Sequence, residues 1–298
     1  YSTLIADSVF GLAKRDFAPL ETRFESAISR MEQGPALLES GKRNLVASET
    51  PKIYCEVALE QLSGTITLIK TTIPEAFAKV QDEALQTRFK TAQEKLLRAL
   101  ESYEKFLKEE ILPKTKTSFA IGEDFYAKKL SYDEMEEEKL SVILARGYKE
   151  LHRLQGRFDS VAKEINPKLS PAKVFEEIAK EHPTNEALVS STQACLDRLR
   201  DYCEKESICT IPSQDKVTVA ESPSFYRALT FASMDTPGPY EDKAKEAFYY
   251  VTPAEKEGDP KRIEEHHVRR RHNARYARHE LGFLHQTVKK YIYHRRRY

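Results

Sequence analysis

Apolar residues recur every three or four positions through most of the first 210 residues, the spacing of one buried helix face. Leu20, Phe24, Ile28 and Met31 step in this way behind Asp16, a residue type that caps helix starts. Gly34-Pro35 predicts a break, with Pro35 opening a short helix through Leu45. Thr50-Pro51 starts a longer helix carrying Tyr54, Val57, Ala58 and Leu62, which Gly64 and the β-branched run Thr65–Ile73 weaken before Pro74. Leu85, Phe89, Leu96, Leu97, Leu100, Tyr103 and Leu107 mark the next helix, within about 75–110, stopped by Leu112-Pro113.

Residues 114–122 read as a connector, followed by a short helix with Phe125-Tyr126 and Leu130. Ser131, with Glu134 three residues on, predicts a capping box for a long helix from about Tyr132 to Ile165. The cluster Glu134, Glu136, Glu137 and Glu138 then falls in its first turns, where the helix dipole favours negative charge. A solvated helix start explains these carboxylates better than catalysis does. Ser170-Pro171 opens another helix that ends at His182-Pro183, and Thr184 or Asn185 opens the last, through Glu206.

The pattern changes at Ile211-Pro212. Lys216–Ala220 alternates like a half-buried strand, and Glu246–Val251 is a second strand rich in aromatic and β-branched residues. Between them Met234–Tyr240 reads as a Pro/Gly-containing loop. The expected fold is therefore mainly α: a multi-helix antiparallel array, with a small β-sheet near the C-terminal third. Residues 1–210 form the helical scaffold, and 211–298 form a strand-containing segment and basic tail belonging to the same domain.

Composition narrows the class. Charged residues make up 32% of the chain, there are only 10 glycines and no Trp, which suits long charge-laced helices. No apolar run is long enough to span a membrane. The start, Tyr1-Ser-Thr-Leu-Ile-Ala-Asp7, is not a secretory signal and reads as a chain entered midway; compartment stays open. Cys55, Cys195, Cys203 and Cys209 make no metal-binding spacing, and a Cys203–Cys209 disulfide is an option only for an exported protein. The formal charge of +1 conceals an asymmetry, since residues 261–298 hold 12 Lys/Arg against three Glu, and six of the eight histidines. No phosphate-binding Gly-rich loop and no Gly-x-Ser-x-Gly elbow is present, which argues against nucleotide chemistry and serine hydrolysis.

Several separated runs, in order, carry a resemblance: Arg15-Asp-Phe-Ala-Pro-Leu20, Ala36-Leu-Leu38 with Asn44-Leu45, Phe119-Ala-Ile-Gly-Glu-Asp-Phe-Tyr126 and Lys129-Leu-Ser-Tyr-Asp133. Thr218-Val-Ala-Glu-Ser-Pro-Ser-Phe-Tyr-Arg227, Thr236-Pro-Gly-Pro239 and Phe248-Tyr-Tyr-Val-Thr-Pro253 continue it. Over roughly residues 1–265 the chain resembles the bacterial domain of unknown function 885 family. The resemblance implies a zincin-like fold and a zinc-dependent metallopeptidase activity on a peptide substrate. The family's His-Glu-x-x-Pro-Gly-His hallmark corresponds here to His279-Glu-Leu-Gly-Phe-Leu-His285, without the Pro-Gly. By resemblance, His279 and His285 are the metal ligands, Glu280 the catalytic base, and Arg227, Tyr249 and Tyr250 the substrate-binding residues.

Zinc hydrolysis uses three protein ligands and an activated water, with a neighbouring carboxylate to take its proton. His279 and His285, six apart, lie about 120° apart on a continuous helix, so both reach one metal only if the helix breaks at Gly282. The chain is accordingly expected to be an internal portion of a family member, lacking part of the metal site. Phe248–Val251 is the expected edge strand that pairs with substrate backbone. Two other readings of the tail stay open. An altered frame after about His267 accounts for the Arg/His excess, and a basic amphipathic helix places Leu281, Leu284, Val288 and Ile292 on one stripe. The latter makes the protein a non-catalytic helical binding module for an acidic partner; nucleic acid is the weaker partner reading.

Overall fold

The computed structural model describes residues 1–180, 183–211, 215–238, 240 and 246–254. It is mainly helical with one small sheet, and its contacts divide it into two compact units. The first unit joins Tyr1–Lys129 to Ile211–Thr252. The second contains Leu130–Thr210 and the described residues from Pro253 onward.

In the first unit, helix α1 (Ser2–Lys14) packs on α2 (Leu20–Asn44), and α2 packs on α5 (Glu83–Phe106). The sequence pattern did not announce α1, whose buried residues Ile5, Ala6, Val9 and Leu12 nevertheless keep helical spacing. Phe24 lies 4.9 Å from Phe77 and 5.1 Å from Phe89, ring centre to ring centre, at the heart of this core.

The predicted break at Gly34-Pro35 does not occur, because α2 runs straight through both residues. A mid-helix Pro costs about 3 kcal/mol and a Gly about 1. Ile28, Met31 and Leu38 flank the pair and are fully buried, each contributing about 1.5–3 kcal/mol, which outweighs that cost. Gly34 also lets α5 approach: a Cβ there would meet Leu96 Cδ1 at 2.5 Å. Nor does Asp16 cap α2. Its carboxylate pairs with the buried Arg23 at 2.9 Å, and the N-cap is Pro19.

Helix α3 (Lys52–Thr67) does not end at its β-branched run. It widens into a π-turn at Leu68–Thr72 and passes into the short α4 (Ile73–Ala76). Thr65, Thr67 and Thr71 each donate a side-chain hydrogen bond to the carbonyl four residues back, at 2.8–3.1 Å, so the turn keeps its polar groups satisfied. The same widening at Leu107–Ile111 extends α5 and buries both of those residues.

The Ser131 capping box is also absent. Helix α6 (Glu123–Glu134) includes Ser131 and ends at Met135, whose φ of 54° turns the chain out of the helix. Helix α7 (Leu140–Ile165) starts afresh after Lys139, so the glutamates precede it, with Glu138 paired to Arg146 at 2.9 Å. In the second unit α7 packs on α8 (Pro171–Ala179), where Phe158 and Phe175 lie 6.3 Å apart. Ser170 caps α8 and Thr184 caps α9 (Asn185–Lys205), as their sequence signals predict. The four cysteines are free thiols. Burial raises the pKa of Cys203, helped by the adjacent Cys209.

Candidate functional site: the sheet and its outer edge

The sheet contains β1 (Val217–Glu221), β2 (Ala232–Asp235) and β3 (Ala247–Val251), in the order β1-β3-β2. β1 runs parallel to β3 and β2 antiparallel to it, with Val219 opposite Tyr249 and Met234 opposite Tyr249 on the other side. β2 occupies the start of the predicted Met234–Tyr240 loop. Ala232-Ser-Met-Asp235 has no β-branched residue to advertise a strand, and pairing with β3 supplies it.

β3 is therefore central. Both of its backbone edges are taken, so Phe248–Val251 cannot be the edge strand that pairs with a substrate. That capacity passes to β2. Thr252 N donates to Phe231 O at 2.8 Å, which makes Phe231 and Thr252 a hydrogen-bonded pair of the antiparallel ladder. Pairing alternates along such a ladder, so Ser233 and Asp235 face β3, while Ala232 and Met234 turn their N–H and C=O outward. Thr230 Oγ1 donates to Ala232 O at 2.6 Å. Among the described residues nothing pairs with the main-chain groups of Met234, which is 40% exposed.

The elements around this edge fix it firmly. Arg15, the C-cap of α1, reaches the sheet with a side chain only 17% exposed. It donates to Asp235 Oδ1 at 2.6 Å, to Thr236 O at 3.1 Å and to Glu246 O at 2.8 Å, locking the end of β2 against the start of β3. Lys14 Nζ lies 4.4 Å above the Phe248 ring. Burial lowers its pKa, and the charges of Asp235 and Glu246 oppose that shift.

Phe248 and Tyr250 stack on the face turned toward α1, 5.9 Å apart, with Phe10 6.3 Å from Tyr250. Tyr250 is buried and its hydroxyl has no hydrogen-bond partner among the described residues. Burial, then the charge of Asp235, raises its pKa. Tyr226 donates to Asp7 Oδ1 at 2.5 Å; burial and that hydrogen bond raise its pKa too.

The turn after β1 completes the frame. Pro223 leads into a 3-10 turn at Ser224–Tyr226, and Phe225 inserts wholly into the core, 5.8 Å from Phe10. Thr252 Oγ1 donates to Thr230 O at 2.7 Å and shares a 2.8 Å hydrogen bond with Ser222 Oγ, joining the ends of the strands.

The residues expected from resemblance are placed apart. Tyr249 and Tyr250 point to opposite faces of the sheet, and Tyr250 is buried against α1. Arg227 donates to Ser222 O at 3.0 Å and to Glu221 Oε2 at 2.9 Å, bracing the turn after β1. His279, Glu280 and His285 lie outside the described residues. Among the described residues no group of three His, Cys, Asp or Glu side chains is placed to hold a metal ion. Sequence reasoning missed Lys14, Asp235 and the Met234 edge. Arg15 stood at the head of a motif, but nothing local indicated a partner 220 positions away.

Comparison with known proteins agrees with this architecture. A search of curated proteins finds no match. A solved structure of a candidate lipoprotein of unknown function from Shewanella oneidensis is similar in fold, with a TM-score of 0.58 and 21% identity. The similarity covers 89% of this chain and 50% of that one, so the chain spans half the length of this relative. The model of a family described as bacterial protein of unknown function (DUF885) matches residues 3–276, and the chain belongs to that family.

Proposed function

We propose that the protein is a zinc-dependent, peptidase-like protein that holds an extended peptide along the outer edge of β2. The observation that carries this reading is the open main chain of Met234 beside a rigidly braced strand. An added strand pairs through backbone hydrogen bonds and so accepts peptides of varied sequence. Asp235, at the end of that edge and 37% exposed, would meet polar groups of the peptide, with Arg15 holding it in place. By the family resemblance, His279 and His285 are the proposed metal ligands and Glu280 the proposed base, which requires the helix to break between the two histidines. When bound, zinc supplies a water acidic enough to ionise near neutral pH.

Elemental analysis of the purified protein, with hydrolysis of a peptide library, tests the reading. Near-stoichiometric zinc is expected, with turnover falling about 100-fold or more in Glu280→Gln. A folded sample without metal, or unchanged turnover in that variant, overturns the catalytic part. Peptide binding without hydrolysis would leave a non-catalytic binding module.

A further inference from the structure

Every residue of α7 from Leu144 to Ser160 is exposed, although the helix is strongly amphipathic. Leu144, Tyr148, Leu151, Gln155, Phe158, Ala162 and Ile165 alternate steps of four and three, the a/d spacing of a helix that pairs with another helix. Exposure is 60% at Leu144, 55% at Tyr148 and 46–50% at Leu151, Leu154, Phe158 and Ile165. Only Ala162, near the C-terminal end, is buried. Helices in proteins are held mainly by packing of their apolar face, and from Leu144 to Ser160 that face is exposed.

We infer that α7 pairs with α7 of a second copy of this chain, forming a two-fold dimer. A two-fold axis brings a stripe onto itself, the commonest arrangement among oligomers. The six exposed apolar side chains offer on the order of 600 Å² per copy, or about 1,200 Å² in a pair, where stable interfaces begin. The flanks suit a self-pairing too. Arg146, Lys149, Glu150, Arg153, Arg157, Asp159, Lys163 and Glu164 mix both signs, so two copies meet without a single-sign field. A shallow depression lined by Leu154, Gln155, Phe158 and Asp159 offers a hole for a facing side chain. Gln155 is the one polar member of the stripe and fixes the register of the pair, as a lone polar a-position does. The inference does not depend on the peptide edge or on a metal.

Sedimentation of the full chain over a range of concentrations provides the test. A dimer is expected for the wild type, with its dissociation constant raised at least about tenfold by Leu144→Glu together with Leu151→Glu, neither of which is the Phe158 that meets Phe175 of α8. Both positions are exposed, so the variant's first unit keeps its fold, and Tyr fluorescence confirms it. In a mixture of isotopically heavy and light protein, lysine cross-links should join Lys149 of one copy to Lys149 or Lys163 of the other. A monomer at every concentration overturns the inference. So does a dimer that the double substitution leaves intact, or a stripe shielded from a hydrophobic dye within a monomer.

Discussion

Ser224 Oγ donates a 2.7 Å hydrogen bond to the Gly64 carbonyl, and the two backbones touch at that point. A Cβ on Gly64 would lie 2.5 Å from the Ser224 carbonyl carbon and oxygen and 2.6 Å from Phe225 Cα. Read as a weak point of α3, this glycine is instead the seat of the turn that carries Phe225 into the core.

Gly64→Ala is therefore expected to destabilise the protein by about 3 kcal/mol, since the obstacle is backbone and cannot rotate away. Gly147, in α7, has nothing within 4 Å of its would-be Cβ. Gly147→Ala is expected to add about 0.5–1 kcal/mol through helix propensity. Urea unfolding of the two variants in parallel measures both signs. Equal midpoints would show that the Gly64–Ser224 contact does not bear on stability.

Arg15 ties three points that the chain brings together from far apart: Asp235, Thr236 and Glu246. Arg15→Ala leaves two carbonyls and a carboxylate without their donor, at an expected cost of about 3 kcal/mol. Arg15→Lys should recover the charge pair but not the two carbonyls, because an ammonium lacks the planar fork. The exposed Arg88–Glu32 pair, bidentate at 2.7 and 2.6 Å, should still matter less, because both partners are solvated. Denaturation midpoints rank Arg15→Ala, Arg15→Lys and Arg88→Ala, and hydrogen exchange at Ser233 and Asp235 localises the loss of the Arg15 variants to β2.

The legible parts of the fold were those where one helix face buries itself. Phe89, Leu96, Leu100 and Tyr103 keep their spacing and all lie in the core. Failures cluster where a distant contact overrides a local signal. Pro35 sits inside α2 because its neighbours are buried, and β2 exists because β3 pairs with it. The candidate edge was legible only as a region. The motif runs from Thr218 to Pro253 pointed to the sheet, but strand order is a matter of register and pairing that no local pattern carries. Hence the peptide-pairing role fell first on β3, the most strand-like sequence, which for that same reason takes the centre.

Alkaline pH should expose the buried tyrosines. Burial pushes the Tyr103 pKa up to about 12, and those of Tyr226 and Tyr250 rise for the same reason. Unfolded tyrosines ionise near pH 10 while these remain protonated in the fold. The stabilisation is therefore complete below about pH 10 and is lost as pH rises toward about 12. Tyr103→Phe should flatten that decline. Tyr250→Phe should flatten it as well and raise stability at pH 7 by about 1 kcal/mol, since the hydroxyl it removes is buried without a partner among the described residues. Stability curves from pH 7 to 12 decide it; a loss of stability in Tyr250→Phe would mean that its hydroxyl is paired in solution.

The β2 edge makes the sharpest demand on neighbouring residues. Ser233 N–H points into the sheet and Met234 N–H points out of it, as the Phe231–Thr252 pair sets the alternation. Proline lacks an N–H and is tolerated on an edge strand only where that group faces outward. Ser233→Pro should cost about 3 kcal/mol or more and disrupt the sheet. Met234→Pro should keep the fold, yet remove the donor that an added peptide strand needs. Peptide binding by calorimetry, with circular dichroism as the fold control, separates the two. A well-folded Met234→Pro that binds peptide with wild-type affinity would move the binding surface away from β2.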